Sequence, residues 1–157
     1  MSTFSIRAAR PEDASLIVRF IHRLAEYERL SDRCFATEET ISQHLFGPHP
    51  FAEAVLAYEA DAPVGFALFF HNYSTFLAKP GIYIEDLFVE PASRGKGYGK
   101  ALLLHIFEIA RERGCGRVEW AVLNWNEPAI RFYESMRATA LGEWTVYRVT
   151  GADLDVI

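Results

Sequence analysis

Apolar residues return every three or four positions at Leu16, Ile17, Phe20, Ile21, Leu24 and Tyr27, which predicts an amphipathic helix ending near Glu28. Pro11-Glu12-Asp13 ahead of it supplies proline and acidic side chains suited to a first helical turn, and Phe4-Ser5-Ile6-Arg7 alternates like a strand. A shorter helix is predicted over Glu38 to Phe46, after which Gly47-Pro48 and His49-Pro50 break the chain. The period then changes. Ala54 to Tyr58 and Val64 to Phe70 are apolar and β-prone, and Glu59-Ala60-Asp61-Ala62-Pro63 joins them as an antiparallel hairpin. Gly81 to Glu90 reads as a third strand, and a long helix follows from about Gly97 to Arg113, closed by Gly114. Arg117 to Leu123 is predicted to be a strand, Asn126 to Met136 a helix, and Trp144 to Val149 a last strand. Hairpins mixed with crossovers place the chain in the α/β (α+β) class, as a single domain over residues 1–157 with no repeat or linker.

Composition narrows the function. Half of the residues are apolar and about a quarter charged, which excludes a disordered chain. No apolar run approaches the roughly 20 residues of a membrane span, and Met1-Ser2-Thr3-Phe4 lacks the basic-then-apolar pattern of a secretion signal, so a cytoplasmic protein with no membrane partner is expected. Cys34 and Cys115 are far apart and read as reduced thiols, and the five histidines form no ligand motif, so no metal is expected. The net charge of −5 opposes nucleic-acid binding and favours cationic substrates.

The segment Arg94-Gly95-Lys96-Gly97-Tyr98-Gly99-Lys100 lies between an apolar strand and a helix. A glycine-rich turn there lets backbone N–H groups approach a phosphate, and the helix start adds about half a positive charge. Arg94 and Lys96 are expected to add more. A P-loop would need glycine in place of Arg94 and serine or threonine in place of Ala101, and a dinucleotide fingerprint would need glycine or alanine in place of Lys100. Both are excluded.

The pattern Arg94-x-x-Gly97-x-Gly99 resembles the pyrophosphate-binding signature of the GNAT acetyltransferase superfamily. Asn124-Trp125-Asn126-Glu127-Pro128-Ala129-Ile130-Arg131-Phe132-Tyr133 resembles that superfamily's second coenzyme-binding motif. Tyr27-Glu28, His49-Pro50-Phe51 and Tyr83-Ile84-Glu85-Asp86-Leu87-Phe88-Val89 bring the likeness nearer to the diamine (spermidine/spermine and thialysine) acetyltransferases. The resemblance implies a mixed, mostly antiparallel twisted sheet flanked by about four helices, a homodimer, and acetyl-CoA as cosubstrate. It also implies that Leu87, Phe88 and Val89 hold the pantetheine and Asn126 the distal arm. Arg94, Gly95, Lys96, Gly97, Tyr98, Gly99 and Lys100 would hold the pyrophosphate.

Acetyl transfer to an amine needs a neutral nitrogen, and an alkyl ammonium near pKa ~10.4 costs about 4–5 kcal/mol to deprotonate at pH 7. Glu85, on an otherwise apolar strand, is the expected base, made more basic by desolvation, with Asp86 pointing to the opposite face. The resemblance makes Tyr133 the acid at the leaving thiolate, where a hydrogen bond to sulfur is the physically safer role. It assigns the acceptor amine to Tyr27, Glu28, Glu85, Glu119, Trp120, Glu143 and Trp144, acidic and aromatic side chains that suit a cation. The sequence departs from the family at Arg137, where glycine is usual, and at Arg29 and Arg33, whose charge beside Glu28 favours an acceptor that also carries a carboxylate. Acetylation of a protein or peptide amine, and a non-catalytic acetyl-CoA-binding module, are the alternative readings.

Overall fold

A computed structural model describes residues 3–156. The chain forms two compact units, Met1–Ala121 and Val122–Ile157. The first holds a five-stranded sheet in sequential order: β1 (Phe4–Ala8), β2 (Glu53–Glu59), β3 (Ala62–Ser74), β4 (Lys79–Val89) and β5 (Val118–Trp120). The first four run antiparallel to their neighbours, and β5 lies parallel to β4. This is the mixed, mostly antiparallel sheet expected.

Helices cover both faces of the sheet, which is why β2 and β3 read as nearly continuous apolar runs rather than alternating ones. On one face, α1 (Ala14–Tyr27) and α2 (Glu38–Phe46) pack Ile17, Phe20, Ile41 and Leu45 against Leu56, Phe66, Leu68 and Phe88. Phe20 stacks on Phe66 with ring centroids 5.4 Å apart. On the other, α3 (Tyr98–Glu112) buries Leu102, Leu103 and Ile106, and its Phe107 ring lies 6.3 Å from Trp120. Thr37 caps α2 by accepting a hydrogen bond from the Thr40 N–H, so the helix starts where the acidic pair Glu38-Glu39 predicts.

Three boundaries differ from the sequence reading. β3 continues to Ser74 and β4 begins at Lys79, because the polar run His71-Asn72-Tyr73-Ser74 still pairs across a long hairpin. β5 has only three residues, since its last pair is Ile84 with Trp120 and β4 is deformed at the very next residue.

The second unit contains α4 (Glu127–Ser135) and a short 3-10 turn at Gly151–Asp155. The strand expected over Trp144 to Val149 is not formed: among the described residues this segment joins no ladder, and Trp144, Val146, Tyr147 and Val149 are exposed. A strand exists only through its partner, so aromatic and β-branched side chains do not make one alone.

Candidate active site

The β3–β4 ladder carries one irregularity. Leu68 pairs with Asp86 and Phe69 with Ile84, which leaves Glu85 as an extra residue opposite no partner. Such a bulge bends a strand and re-aims side chains at the point where it occurs. Phe69, Ile84 and Trp120 share the α3 face, whereas Phe70, Tyr83, Glu119, Leu68 and Asp86 belong to the α1/α2 face. Glu28, the C-cap residue of α1, arrives on that same face.

Glu28, Glu85 and Asp86 form one electrostatic group. Burial, with the charges of Glu85 and Glu28 added to it, pushes the Asp86 carboxyl up to about 7. Burial first, then Glu85, also raises Glu28. Tyr83 is raised by burial first and then by the charges of Glu85 and Glu119. The neighbouring charges that raise Glu28 and Asp86 are all negative. Carboxyl groups that raise one another in this way make a site that gains from a ligand bringing positive charge.

Two expectations change here. Glu85 is exposed, so the desolvation anticipated for it falls instead on half-buried Asp86. Asp86 does not act apart from Glu85 on an opposite face, because the bulge interrupts strict alternation and leaves Asp86 under the charges of both Glu85 and Glu28. Asp86 was not singled out from sequence. The available signal was an acidic doublet inside an otherwise apolar strand.

Beyond Ile84 the ladder gives β4 no neighbour on the β5 side among the described residues, so the backbone of Leu87, Phe88 and Val89 has one edge outside the sheet. This is where an extended ligand could add hydrogen bonds. The chain then turns through Pro91–Ser93 to Gly95 and Gly97, with φ of 81° and 85°. Gly97 is the N-cap of α3, and its carbonyl accepts the first helical hydrogen bond from Ala101. The N–H groups of the first turn therefore have no acceptor within the helix, the arrangement that binds phosphate.

Arg94 and Lys96 contribute differently from expectation. Arg94 Nε donates to the Val89 carbonyl at 2.9 Å, and its guanidinium lies 4.6 Å from the Tyr27 ring centroid and 5.6 Å from that of Phe88. It fastens the end of α1 to the end of β4. Lys96 pairs with Glu59 at 3.1 Å, and the Tyr98 hydroxyl donates to the same carboxylate. These two partners hold Glu59 below the usual carboxylate range, Tyr98 foremost. The charge of Lys96 is thus matched by Glu59, while Arg94 is held by a carbonyl and two rings and keeps its charge, so backbone N–H groups, Arg94 and Lys100 are left to meet an anion.

The remaining candidates separate. Glu119 accepts from Asn72 Nδ2 at 3.3 Å and pairs with Arg117 Nε at 3.0 Å, while Trp120 faces α3. In the second unit, buried Asn126 caps α4 by accepting from the Ala129 N–H at 3.4 Å. Tyr133 lies beside Phe132, with centroids 5.5 Å apart. Arg137 adopts φ of 66°, so it occupies the left-handed cap position that glycine favours. Glu143 and Trp144 are exposed, Trp144 in a turn closed by its N–H to the Leu141 carbonyl at 3.2 Å. Among the described residues no group of three or more His, Cys, Asp or Glu is placed to hold a metal ion. No helix among them is long and apolar enough to cross a membrane.

Comparison with known proteins agrees with this geometry. The sequence pattern of the acetyltransferase (GNAT) family matches residues 18–137. The chain is 35% identical to the L-ornithine N5-acetyltransferase of Arabidopsis thaliana, covering 97% of this chain and 86% of that protein. It is 36% identical to the thialysine N-epsilon-acetyltransferase of Sus scrofa, covering 96% and 95%. Among solved structures, an integron cassette protein from the mobile metagenome of V. cholerae superposes with a TM-score of 0.82 at 27% identity, covering 98% of this chain and 96% of that one. A glycine turn at the start of α3, a bulged β4 and relatives of this kind over nearly the whole length lead to one assignment: the chain belongs to the GNAT family, as an acetyl-CoA-dependent N-acetyltransferase.

Proposed function

We propose that the acceptor is a small primary amine of the thialysine, diamine or polyamine class, acetylated by direct attack in a ternary complex. The observation that carries this reading is the group of mutually repelling carboxyls Glu28, Glu85 and Asp86 at the bulge of β4. The names of the relatives, which act on L-ornithine and thialysine, support it. Acetyl-CoA supplies the acyl carbon and the thiolate leaving group. Leu87, Phe88 and Val89 would hold its pantetheine, the turn from Arg94 to Lys100 its pyrophosphate, and Asn126 its distal arm. Glu85, directly or through a water, takes the ammonium proton, and Asp86, balanced near neutrality, is a second group able to hold it. The nitrogen then forms its bond to the acyl carbon as the carbon–sulfur bond breaks, and the second proton it gives up to become an amide leaves with the sulfur as the thiol. Tyr133 donates a hydrogen bond to the departing sulfur. Tyr27, Glu119, Glu143 and Trp144 complete the proposed acceptor set, which leaves out Trp120 because it faces α3, and no metal enters this chemistry.

The working unit we propose is a cytoplasmic homodimer of one domain over residues 1–157. Exposed Trp144, Val146, Tyr147 and Val149 support it, since an apolar segment of this kind suits a partner copy. Light scattering at micromolar concentration tests it, and a monomer rejects it. A thiol-release assay with L-ornithine, thialysine, spermidine and a folded protein tests the acceptor. The small amines are expected to react fastest, with KM rising as salt screens the carboxylates. Acetylation of a peptide N-terminus with none of the small amines leaves only the general assignment standing.

A further inference from the structure

Beyond the acidic group, the α1/α2 face of β4 and β5 carries an Arg–Glu pair. Arg117 and Glu119 share one side of the chain at β5, and Arg117 Nε meets Glu119 Oε1 at 3.0 Å. Asn72 Nδ2 steadies the same oxygen from β3 at 3.3 Å. Gly81 makes room for them: a Cβ there would stand 2.4 Å from Asn72 Oδ1 and 3.6 Å from Arg117 Cγ. The Arg117 side chain is 48% exposed, and no described group takes its two terminal nitrogens. A fork of N–H donors is left facing solvent beside a carboxylate.

The register sets this pair's distance from the reacting end. Glu119 stands opposite Tyr83, so Glu85, two residues further along β4, is about 7 Å from Glu119 along the strand at a rise of about 3.3 Å per residue, and Arg117, two residues earlier in the chain than Glu119, is further still. Beside Glu119 stands Tyr83, whose ring is 5.3 Å from that of Phe70 and tilted by 33° to it, so two aromatic rings line this stretch. An amino acid with a terminal side-chain amine has matching parts: an ammonium, an aliphatic stem of comparable length, then a carboxylate beside a second ammonium.

We infer that Arg117 and Glu119 read the α-amino-acid head group of the acceptor, Arg117 taking the carboxylate and Glu119 the α-ammonium, so that the enzyme selects amino acids over diamines of the same length. This rests on the proposed small-amine acceptor and deepens it. Arg117 is a specificity-determining residue, remote from the bond that changes. A guanidinium can grip a carboxylate with two parallel hydrogen bonds, whereas a diamine brings a second positive charge to the same place and is repelled.

The test compares kcat/KM for L-ornithine with that for putrescine, which is L-ornithine without its carboxylate, in the wild type, Arg117→Gln and Arg117→Lys. The wild type is expected to prefer L-ornithine. Arg117→Gln is expected to lower the ratio about tenfold or more through a higher KM for L-ornithine, the loss typical of a charge-assisted hydrogen bond, and Arg117→Lys to restore part of it. Retained thermal stabilisation by acetyl-CoA shows that each variant is folded. A ratio near one in the wild type, or a ratio that Arg117→Gln leaves unmoved, overturns the head-group assignment while small-amine acetylation stands. Failure of the wild type to acetylate either compound, with acetyl-CoA binding intact, overturns both readings together.

Discussion

Asp86→Asn removes a carboxyl that the fold holds near neutrality, and it is expected to make the protein more stable above pH 7. Burial and the charges of Glu85 and Glu28 raise Asp86 from an ordinary aspartate value near 3.8 to about 7. At about 1.4 kcal/mol per unit, ionising Asp86 in the native state costs up to about 4 kcal/mol, and solvent screening brings the working figure to about 2–4 kcal/mol. Between about pH 4 and pH 7 the native state binds this proton more tightly than the unfolded chain, so stability falls as pH rises through that window. Above about pH 7 the full cost is present. Asparagine stays neutral throughout, so the variant's advantage is small at pH 4, grows across the window and levels off above about pH 8. For a chain of this length that corresponds to a Tm gain of roughly 5–10 °C at pH 8. Thermal unfolding of both proteins from pH 4 to pH 8.5 reads this directly. Parallel Tm curves would refute the reasoning, because they would mean that Asp86 releases its proton no later in the native state than in the unfolded one.

Gly97→Val is expected to abolish most of the melting-temperature rise on adding acetyl-CoA, since valine cannot adopt φ of 85° without strain, whereas Gly99→Ala should keep it, its new Cβ meeting only Val89 Cγ2 at 3.8 Å. Equal losses in the two variants would remove the special role of the left-handed turn. Arg137→Gly should stabilise the protein by about 1 kcal/mol in urea unfolding, by relieving a non-glycine residue at φ of 66°. Tyr133→Phe should lower kcat while the acetyl-CoA melting shift persists, because its hydroxyl is assigned to the sulfur as charge develops; a wild-type kcat would leave it a packing residue.

The strong helical period from Leu16 to Tyr27, the capped start of α2 at Thr37 and the glycines around Tyr98 were legible because each rests on contacts within a few residues. The turn's position between strand and helix was equally local. Features that depend on a distant partner were not legible. Nothing near Glu85 announces that Leu68 and Phe69 will pair around it, and that pairing decides which carboxyl is desolvated. Lys96 looked like a phosphate ligand until Glu59, 37 residues earlier in sequence, was found beside it. Trp144 to Val149 has the composition of a strand, yet composition cannot supply the ladder that would make it one.

The bulge also bears on how this strand tolerates gain and loss of residues. Because Leu68 faces Asp86 and Phe69 faces Ile84, a chain in which Ile84 ran straight into Asp86 would keep every other β3–β4 pair and every buried side chain on its present face. Glu85 is, in that sense, a single-residue insertion in a frame that is already in phase without it. Elsewhere in the same hairpin a one-residue change would turn Phe66, Phe88 and their neighbours from core to solvent. The position that carries the exposed carboxylate is therefore the one place on β4 where lineages could acquire or discard a residue while leaving the architecture intact.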